Sequence, residues 1–258
     1  MRIAALSDIH GNLGALEAVI ADISRRGVDL LVNVGDLLSG PLQPRETADR
    51  LMALELPTVS GNHERQLLAP ERPAMGPSDR HAAEAISAGQ RAWLAALPST
   101  LWVTNEVFLC HATPESDVAC FLEEIREGEL IPAALGQIEK RAASCTAPLI
   151  ICGHTHIPRV AHLRNGQLIV NPGSVGIQAY EGHHPIPHVV EIGSPHARYA
   201  LIERAPSGWI ANLIAVPYDW DGAARIAERH GQPQWAFALR TGFVQRKPLT
   251  AEMPPSAH

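Results

Sequence analysis

Arg2-Ile3-Ala4-Ala5-Leu6-Ser7-Asp8-Ile9-His10-Gly11-Asn12 decides how the rest of the chain is read. Residues 2–6 form a short apolar strand, and Asp8 and His10 follow it directly, two positions apart. Asn12 then caps a helix in which Leu13, Leu16, Val19, Ile20 and Ile23 recur at helical spacing until Gly27 stops it. Residues 29–34 make the next strand, so the chain opens as a βαβ unit. In α/β proteins the loops at the carboxyl ends of such strands form the functional edge. Asp8, His10 and Asp36 all fall on that edge.

The rhythm of strand followed by polar ligand-type residues then repeats. Residues 45–54 read as a helix and 58–60 as a strand, which delivers Gly61-Asn62-His63-Glu64. Residues 107–110, the second arm of a hairpin begun at 101, deliver His111. Residues 148–152 deliver Gly153-His154-Thr155-His156, and a hairpin over 159–170 turns at Arg164-Asn165-Gly166. Residues 116–144 have helix-forming composition and predict one or two helices, despite Gly128, Pro132 and Gly136. Strands at 189–192, 198–202 and 209–216 follow one another closely enough to predict an antiparallel sheet, with a helix over 219–230 and another helical turn at 236–241. Residues 70–97 combine a Pro/Gly loop with an amphipathic helix flanking the edge, a candidate lid. One domain over 1–246 and a loose tail over 247–258 are expected.

An Asp at a strand end is ordinarily a cap or turn residue, and a lone His is ordinarily structural. Five such pieces, each at a strand end, point instead to a shared metal site. Asp, His and Asn are hard or borderline ligands that suit first-row divalent ions better than a thiolate-based structural zinc. The four cysteines, Cys110, Cys120, Cys145 and Cys152, lack C-x-x-C spacing and lie within or beside apolar segments, which argues for buried thiols rather than disulfides.

The ordered set Asp8-Ile9-His10, Gly35-Asp36, Gly61-Asn62-His63-Glu64, His111 and Gly153-His154-Thr155-His156 resembles the calcineurin-like metallophosphoesterase superfamily. Asn171-Pro172-Gly173-Ser174 is similar to its short bacterial and archaeal phosphodiesterase branch. The resemblance implies a four-layer α/β/β/α sandwich of two mixed sheets flanked by helices. It implies that Asp8, His10 and His156 bind one divalent metal ion, that Asn62, His111 and His154 bind a second, and that Asp36 bridges them. Manganese, iron, nickel or zinc would serve, with manganese favoured for activity. Two such ions bring four positive charges against two from Asp8 and Asp36, leaving about +2 to attract a phosphate. The implied reaction is hydrolysis of phosphate esters by in-line attack of a metal-bridging hydroxide. A phosphodiesterase acting on small or nucleotide-like substrates is the favoured form.

His63, left free by that division, is the candidate to protonate the leaving alkoxide or stabilise phosphoryl charge, with Glu64 a candidate to orient it. Asn12, opening the first helix, and Thr155, between two ligands, are candidate substrate contacts. The relatives that act on phosphoproteins or dinucleotide polyphosphates carry Asp-Arg-Gly after Gly-Asp. Here Leu37-Leu38-Ser39-Gly40-Pro41 stands instead, which disfavours a protein or dinucleotide-polyphosphate phosphatase and leaves a phosphomonoesterase as the alternative. A non-catalytic scaffold of the same fold would have lost ligands, and none is lost here.

A net charge of −6 argues against a broad electrostatic grip on nucleic acid beyond short oligonucleotides, because that grip needs clustered Lys and Arg. No apolar run approaches the roughly 18 residues that span a bilayer, and no leader pattern opens the chain. A soluble cytoplasmic protein taking a small phosphorylated substrate, with no membrane partner and room for homo-oligomerisation, is the expectation.

Overall fold

The computed structural model describes residues 1–69 and 75–246. The tail expected over 247–258, and residues 70–74 of the candidate lid, lie outside the described residues. Strand β1 (Arg2–Leu6) leads into helix α1 (Leu13–Arg26) and returns to β2 (Leu30–Asn33). The two strands pair in parallel from Ile3 opposite Leu30 to Leu6 opposite Asn33. Asn12 caps α1 through Oδ1 to the Ala15 N–H, and Gly27 ends it at φ 66°. The opening βαβ unit is as the sequence predicts. The third strand, expected at 58–60, shrinks to a single parallel bridge between Asn33 and Thr58, after helix α2 (Pro44–Leu54).

Along the flanking segment, helix α3 (Asn62–Leu68) is followed by α4 (Pro77–Ala85) and α5 (Ala88–Ala95). The continuous periodicity over 82–97 suggests one helix, but the chain breaks at Ile86, whose ψ is 144°. Ser87 restarts it through a capping box, its Oγ accepting from the Gln90 N–H while Gln90 Oε1 accepts from the Ser87 N–H.

Strands β3 (Thr100–Trp102) and β4 (Val107–Cys110) form the predicted hairpin. Residues 116–144 differ from expectation. They hold a β-hairpin of β5 (Glu123–Arg126) and β6 (Glu129–Pro132), then one short helix, α6 (Leu135–Ala142). Glu127 and Gly128 sit at φ 53° and 83°, the left-handed pair that a tight hairpin turn requires and that no helix tolerates. Helix-favouring composition is overridden there by a two-residue turn.

Strands β7 (Leu149–Ile151), β8 (Arg159–His162), β9 (Leu168–Asn171), β10 (Ala179–Gly182), β11 (His188–Glu191), β12 (Ala197–Ala205) and β13 (Gly208–Val216) complete the sheets. Three mixed sheets result, in orders β13-β12-β1-β2, β3-β4-β7-β9-β8 and β10-β11-β6-β5. The α/β class is as expected, with a third sheet added to the two. β11 belongs to that third sheet, beside the unforeseen β10, whereas β12 and β13 extend the first. Helices α7 (Trp220–Arg229) and α8 (Pro233–Thr241) close the described chain.

β1 and β7 are covered on both faces, which explains their unbroken apolar runs. Ile3, Ala5 and Val32 of the first sheet pack in one buried cluster with Leu109, Ile151 and Val170 of the second. Alternate residues Ala4 and Leu6 turn to the other face, toward Leu16 and Val19 of α1. Ile150 likewise turns toward Ile138 of α6. Each large aliphatic side chain buried this way contributes about 1.5–3 kcal/mol, so the strand ends that carry the polar residues are held in fixed relation. Among the described residues no helix is long and apolar enough to cross a membrane.

Candidate metal centre

The residues after β1, β2, β4 and β7 meet at one edge of the first two sheets. The backbone holding them is unusual. Asp8, His10, Asp36, His154 and His156 all have φ between 51° and 69°. The left-handed region costs a non-glycine residue about 1 kcal/mol or more, and such strain concentrates at functional sites. Glycines make the remaining approaches feasible. A Cβ at Gly61 would collide with Asp36 Oδ1, and one at Gly153 with Ser7 Oγ.

Hydrogen bonds fix which ring nitrogen of each histidine faces inward. His10 Nδ1 lies 2.6 Å from the Ser39 carbonyl, His156 Nδ1 2.9 Å from the Ile177 carbonyl, and His111 Nδ1 2.7 Å from the Val34 carbonyl. A carbonyl only accepts, so each Nδ1 carries the proton and each Nε2 offers a lone pair. His154 is reversed, its Nε2 donating to the Val118 carbonyl at 3.1 Å and its Nδ1 turned inward.

Those inward lone pairs face other acceptors. His10 Nε2 and His156 Nε2 are 3.2 Å apart, and His156 Nε2 is 3.4 Å from Asp8 Oδ1, a buried oxygen with no hydrogen-bond donor. His111 Nε2 lies 3.1 Å from both Asp36 Oδ2 and Asn62 Oδ1, which is also 3.1 Å from His154 Nδ1. Acceptors held this close need a cation or a proton between them. The ligand atoms of Asp8, His10 and His156, and those of Asp36, His111 and His154, lie within 4.8 Å of one another in each group. That donor set fits divalent ions; Asp36, expected as a bridge, falls within the second group, and Asn62 lies beside it.

Burial pushes His111 down, but the charge and hydrogen bond of Asp36 outweigh it and raise its pKa to about 10. Burial, with repulsion from the neighbouring histidines, lowers His10 and His154 to about 4. Burial opposes ionisation of Asp36, yet His111 and His63 hold it well below the usual carboxylate range. Neutral imidazoles and ionised carboxylates are the forms that bind a metal.

His63 projects into the cavity above this cluster and is not among the converging ligand atoms. Its backbone N–H donates to Asp36 Oδ1 at 3.0 Å, and its Nδ1 donates to Asp79 Oδ1 at 2.7 Å. Burial disfavours its charged form, but Asp36 and Asp79 raise its pKa to about 9. The orienting carboxylate is therefore Asp79 on α4, not Glu64. Glu64 instead accepts from the backbone N–H groups of Asp36, Leu37 and Gly61, at 2.9, 2.8 and 2.8 Å. Its position three residues after Gly61 is the capping-box spacing, a signal present in the sequence. Nothing local marks Asp79.

Neither Asn12 nor Thr155 lines the cavity as expected of substrate contacts. Asn12 Nδ2 donates to the Gly176 carbonyl and to Tyr218 Oη, at 2.8 and 3.1 Å, while its Oδ1 caps α1. Thr155 Oγ1 donates to Glu123 Oε2 and accepts from Asn171 Nδ2, both at 3.0 Å. Arg159 Nε pairs with the other Glu123 oxygen at 2.7 Å. Both residues are buried with their polar groups engaged, and they position ligand-bearing loops.

The cluster forms the floor of a cavity of about 990 Å³. Residues that the sequence does not point to make its walls, among them Tyr180 on β10 of the third sheet and Trp235 on α8.

Comparison with known proteins identifies the fold and the family. A curated relative, an uncharacterized protein of Methanocaldococcus jannaschii, is 26% identical over 248 residues, covering 90% of this chain and 94% of its own. The crystal structure of a metallophosphoesterase from Sphaerobacter thermophilus superposes with a TM-score of 0.73 at 23% identity, covering 94% of this chain and 100% of that one. A hypothetical protein from Pyrococcus horikoshii gives 0.71 at 19% identity, covering 93% and 98%. The model of the calcineurin-like phosphoesterase superfamily domain matches residues 1–192, which span every residue of the converging cluster, and the chain belongs to that superfamily.

Proposed function

We propose that this protein is a phosphodiesterase for small phosphate diesters that works with two divalent ions. The observation that carries the reading is the set of inward lone pairs on His10, His156, His111 and His154, facing Asp8, Asp36 and Asn62 with no protein donor between them. Asp8, His10 and His156 would hold one ion, and Asn62, His111 and His154 the other, with Asp36 between them. Such ions supply Lewis acidity to phosphoryl oxygens and lower the pKa of a coordinated water toward neutrality.

The chain's own groups do the rest. The backbone carbonyls of Ser39, Val34, Ile177 and Val118 keep each imidazole in its ligating tautomer. Asp79, accepting from His63 Nδ1, turns Nε2 of that ring toward the cavity, where it can give a proton to the departing alkoxide. Arg246 is the one Lys or Arg lining the cavity among the described residues, and it sits 3.5 Å from Glu191. A diester carries one negative charge at its phosphorus and a monoester nearly two, so the scarcity of Lys and Arg around the ions favours the diester.

Chelation followed by dialysis is expected to abolish hydrolysis of bis-p-nitrophenyl phosphate, and added Mn²⁺ to restore it. p-Nitrophenyl phosphate is expected to turn over more slowly under the same conditions. Equal activity with and without metal would defeat the two-ion reading, and a preference for the monoester would defeat the diesterase assignment.

Asp79→Asn keeps the shape of the side chain but removes the charge that anchors His63. We expect kcat to fall roughly tenfold to a hundredfold, the range seen when a partner orienting an active group at a metal site is lost, with KM and metal content unchanged. Glu is the control, since a carboxylate one methylene longer should recover part of the loss. An unaltered kcat in Asp79→Asn would show that His63 needs no anchor.

A further inference from the structure

The cavity extends past the ligand cluster to a wall outside the matched residues 1–192, built by α8, which packs against α7, and by residues 244–246. The helix pair is docked on the loop that follows Asp36. Leu42 packs among Ala223, Ala227 and Leu239, and His230 Nδ1 donates to the Pro41 carbonyl at 2.8 Å. Trp235 opens the cavity face of α8, with its ring centroid 6.1 Å from that of His10 and an interplanar angle of 67°. Gly40 lies beneath it, where a Cβ would stand 3.2 Å from the indole Cη2 and clash with the His10 carbonyl.

Across the floor, Tyr180 stacks edge-on against His156 with centroids 4.7 Å apart. Ile177, Ala179 and Ala238 complete an uncharged, largely apolar surface between the two aromatics. Apart from the ligand cluster and His63, the charged residues that line the cavity are Glu181 and Arg246, the latter 3.5 Å from Glu191. This surface therefore disfavours a second phosphate beside the one at the metal cluster and favours a flat apolar group.

We propose that the α8 wall, centred on Trp235, binds an uncharged aromatic ring esterified to the substrate phosphate, selecting aryl-type phosphodiesters over alkyl ones. The inference rests on the phosphodiesterase reading above. An aromatic ring in contact with the indole gains from apolar burial and from ring-ring electrostatics, neither of which a methyl ester can match.

The test uses the full-length, Mn²⁺-loaded protein and two esters with one leaving group, phenyl p-nitrophenyl phosphate and methyl p-nitrophenyl phosphate. Comparing wild type with variants cancels the intrinsic reactivities of the esters. In Trp235→Ala the phenyl-to-methyl ratio of kcat/KM is expected to drop about threefold to tenfold, the range an aromatic contact supplies, mostly through KM. Trp235→Phe should keep most of the preference, and Trp235→Leu replaces Trp235→Ala if that variant fails to fold.

Calorimetric binding of phenylphosphonate and methylphosphonate gives a readout that needs no turnover. Wild type should prefer phenylphosphonate, and Trp235→Ala should lose that preference by a similar factor. A wild type with no preference between the phosphonates would overturn the proposal, as would an unchanged ester ratio in a folded, metal-loaded Trp235→Ala. If neither ester is hydrolysed while phenylphosphonate binding still depends on Trp235, the diesterase reading fails and the aromatic wall stands.

Discussion

Asp36→Asn is expected to lose at least about a thousandfold in kcat/KM, or roughly 4 kcal/mol of transition-state stabilisation. Three relations make Asp36 the most consequential side chain of the cluster. Its Oδ2 faces His111 Nε2 at 3.1 Å, its Oδ1 accepts the His63 backbone N–H at 3.0 Å, and its side chain lies against Gly61, which admits no Cβ. Asparagine fills the same volume, so the fold should survive. An amide presents one oxygen instead of two and carries no charge, so it cannot serve both halves of the site. Metal content measured by mass spectrometry should fall from two equivalents to one or fewer. Two retained equivalents with activity within tenfold of wild type would remove Asp36 from the bridging role.

His63→Ala should separate catalysis from metal binding. Both equivalents should remain, because His63 contributes no atom to either ligand group, while kcat falls about 10²–10⁴-fold, the usual contribution of a positioned acid. The loss should depend on the leaving group. An ester that releases p-nitrophenolate needs little protonation, whereas one that releases an alkoxide needs it fully, so the alkyl ester should suffer more. Equal losses across leaving groups would assign His63 to charge stabilisation of the phosphoryl oxygens. Loss of a metal equivalent would place it in the coordination sphere. The Asp79→Asn variant should show the same dependence on leaving group in weaker form, since it loosens the ring without deleting it.

Asp79 and Glu64 show how sequence and structure divided the information. Asn62, His63 and Glu64 are consecutive, and helix geometry sends consecutive side chains in different directions. One reaches the cluster, one the cavity and one the backbone of the Asp36 loop. Adjacency in the sequence therefore suggested Glu64 as the partner of His63, and geometry excluded it. Asp79 lies 16 residues on, brought in by the packing of α4, and its sequence surroundings mark only the start of a helix.

What the sequence by itself determined was the edge and its donor set. Unbroken apolar runs at β1, β4 and β7 mark strands covered on both faces, and residues directly after such strands emerge together at one end of the sheets. Asp8, His10, Asp36, Asn62, His111, His154 and His156 were readable because each is tied to its own strand or turn by local geometry. The tertiary structure decided everything that depends on segments meeting from far apart in the chain. The hairpin of β5 and β6 won over helix-favouring composition, and its Glu123 engages Thr155, which does not line the cavity. Asp79 took over the anchoring of His63, and α8 brought Trp235 to the wall of the cavity. Local spacing encodes which way a side chain leaves its own strand or helix, but the partner it meets is chosen by packing of the whole chain, which no single stretch contains.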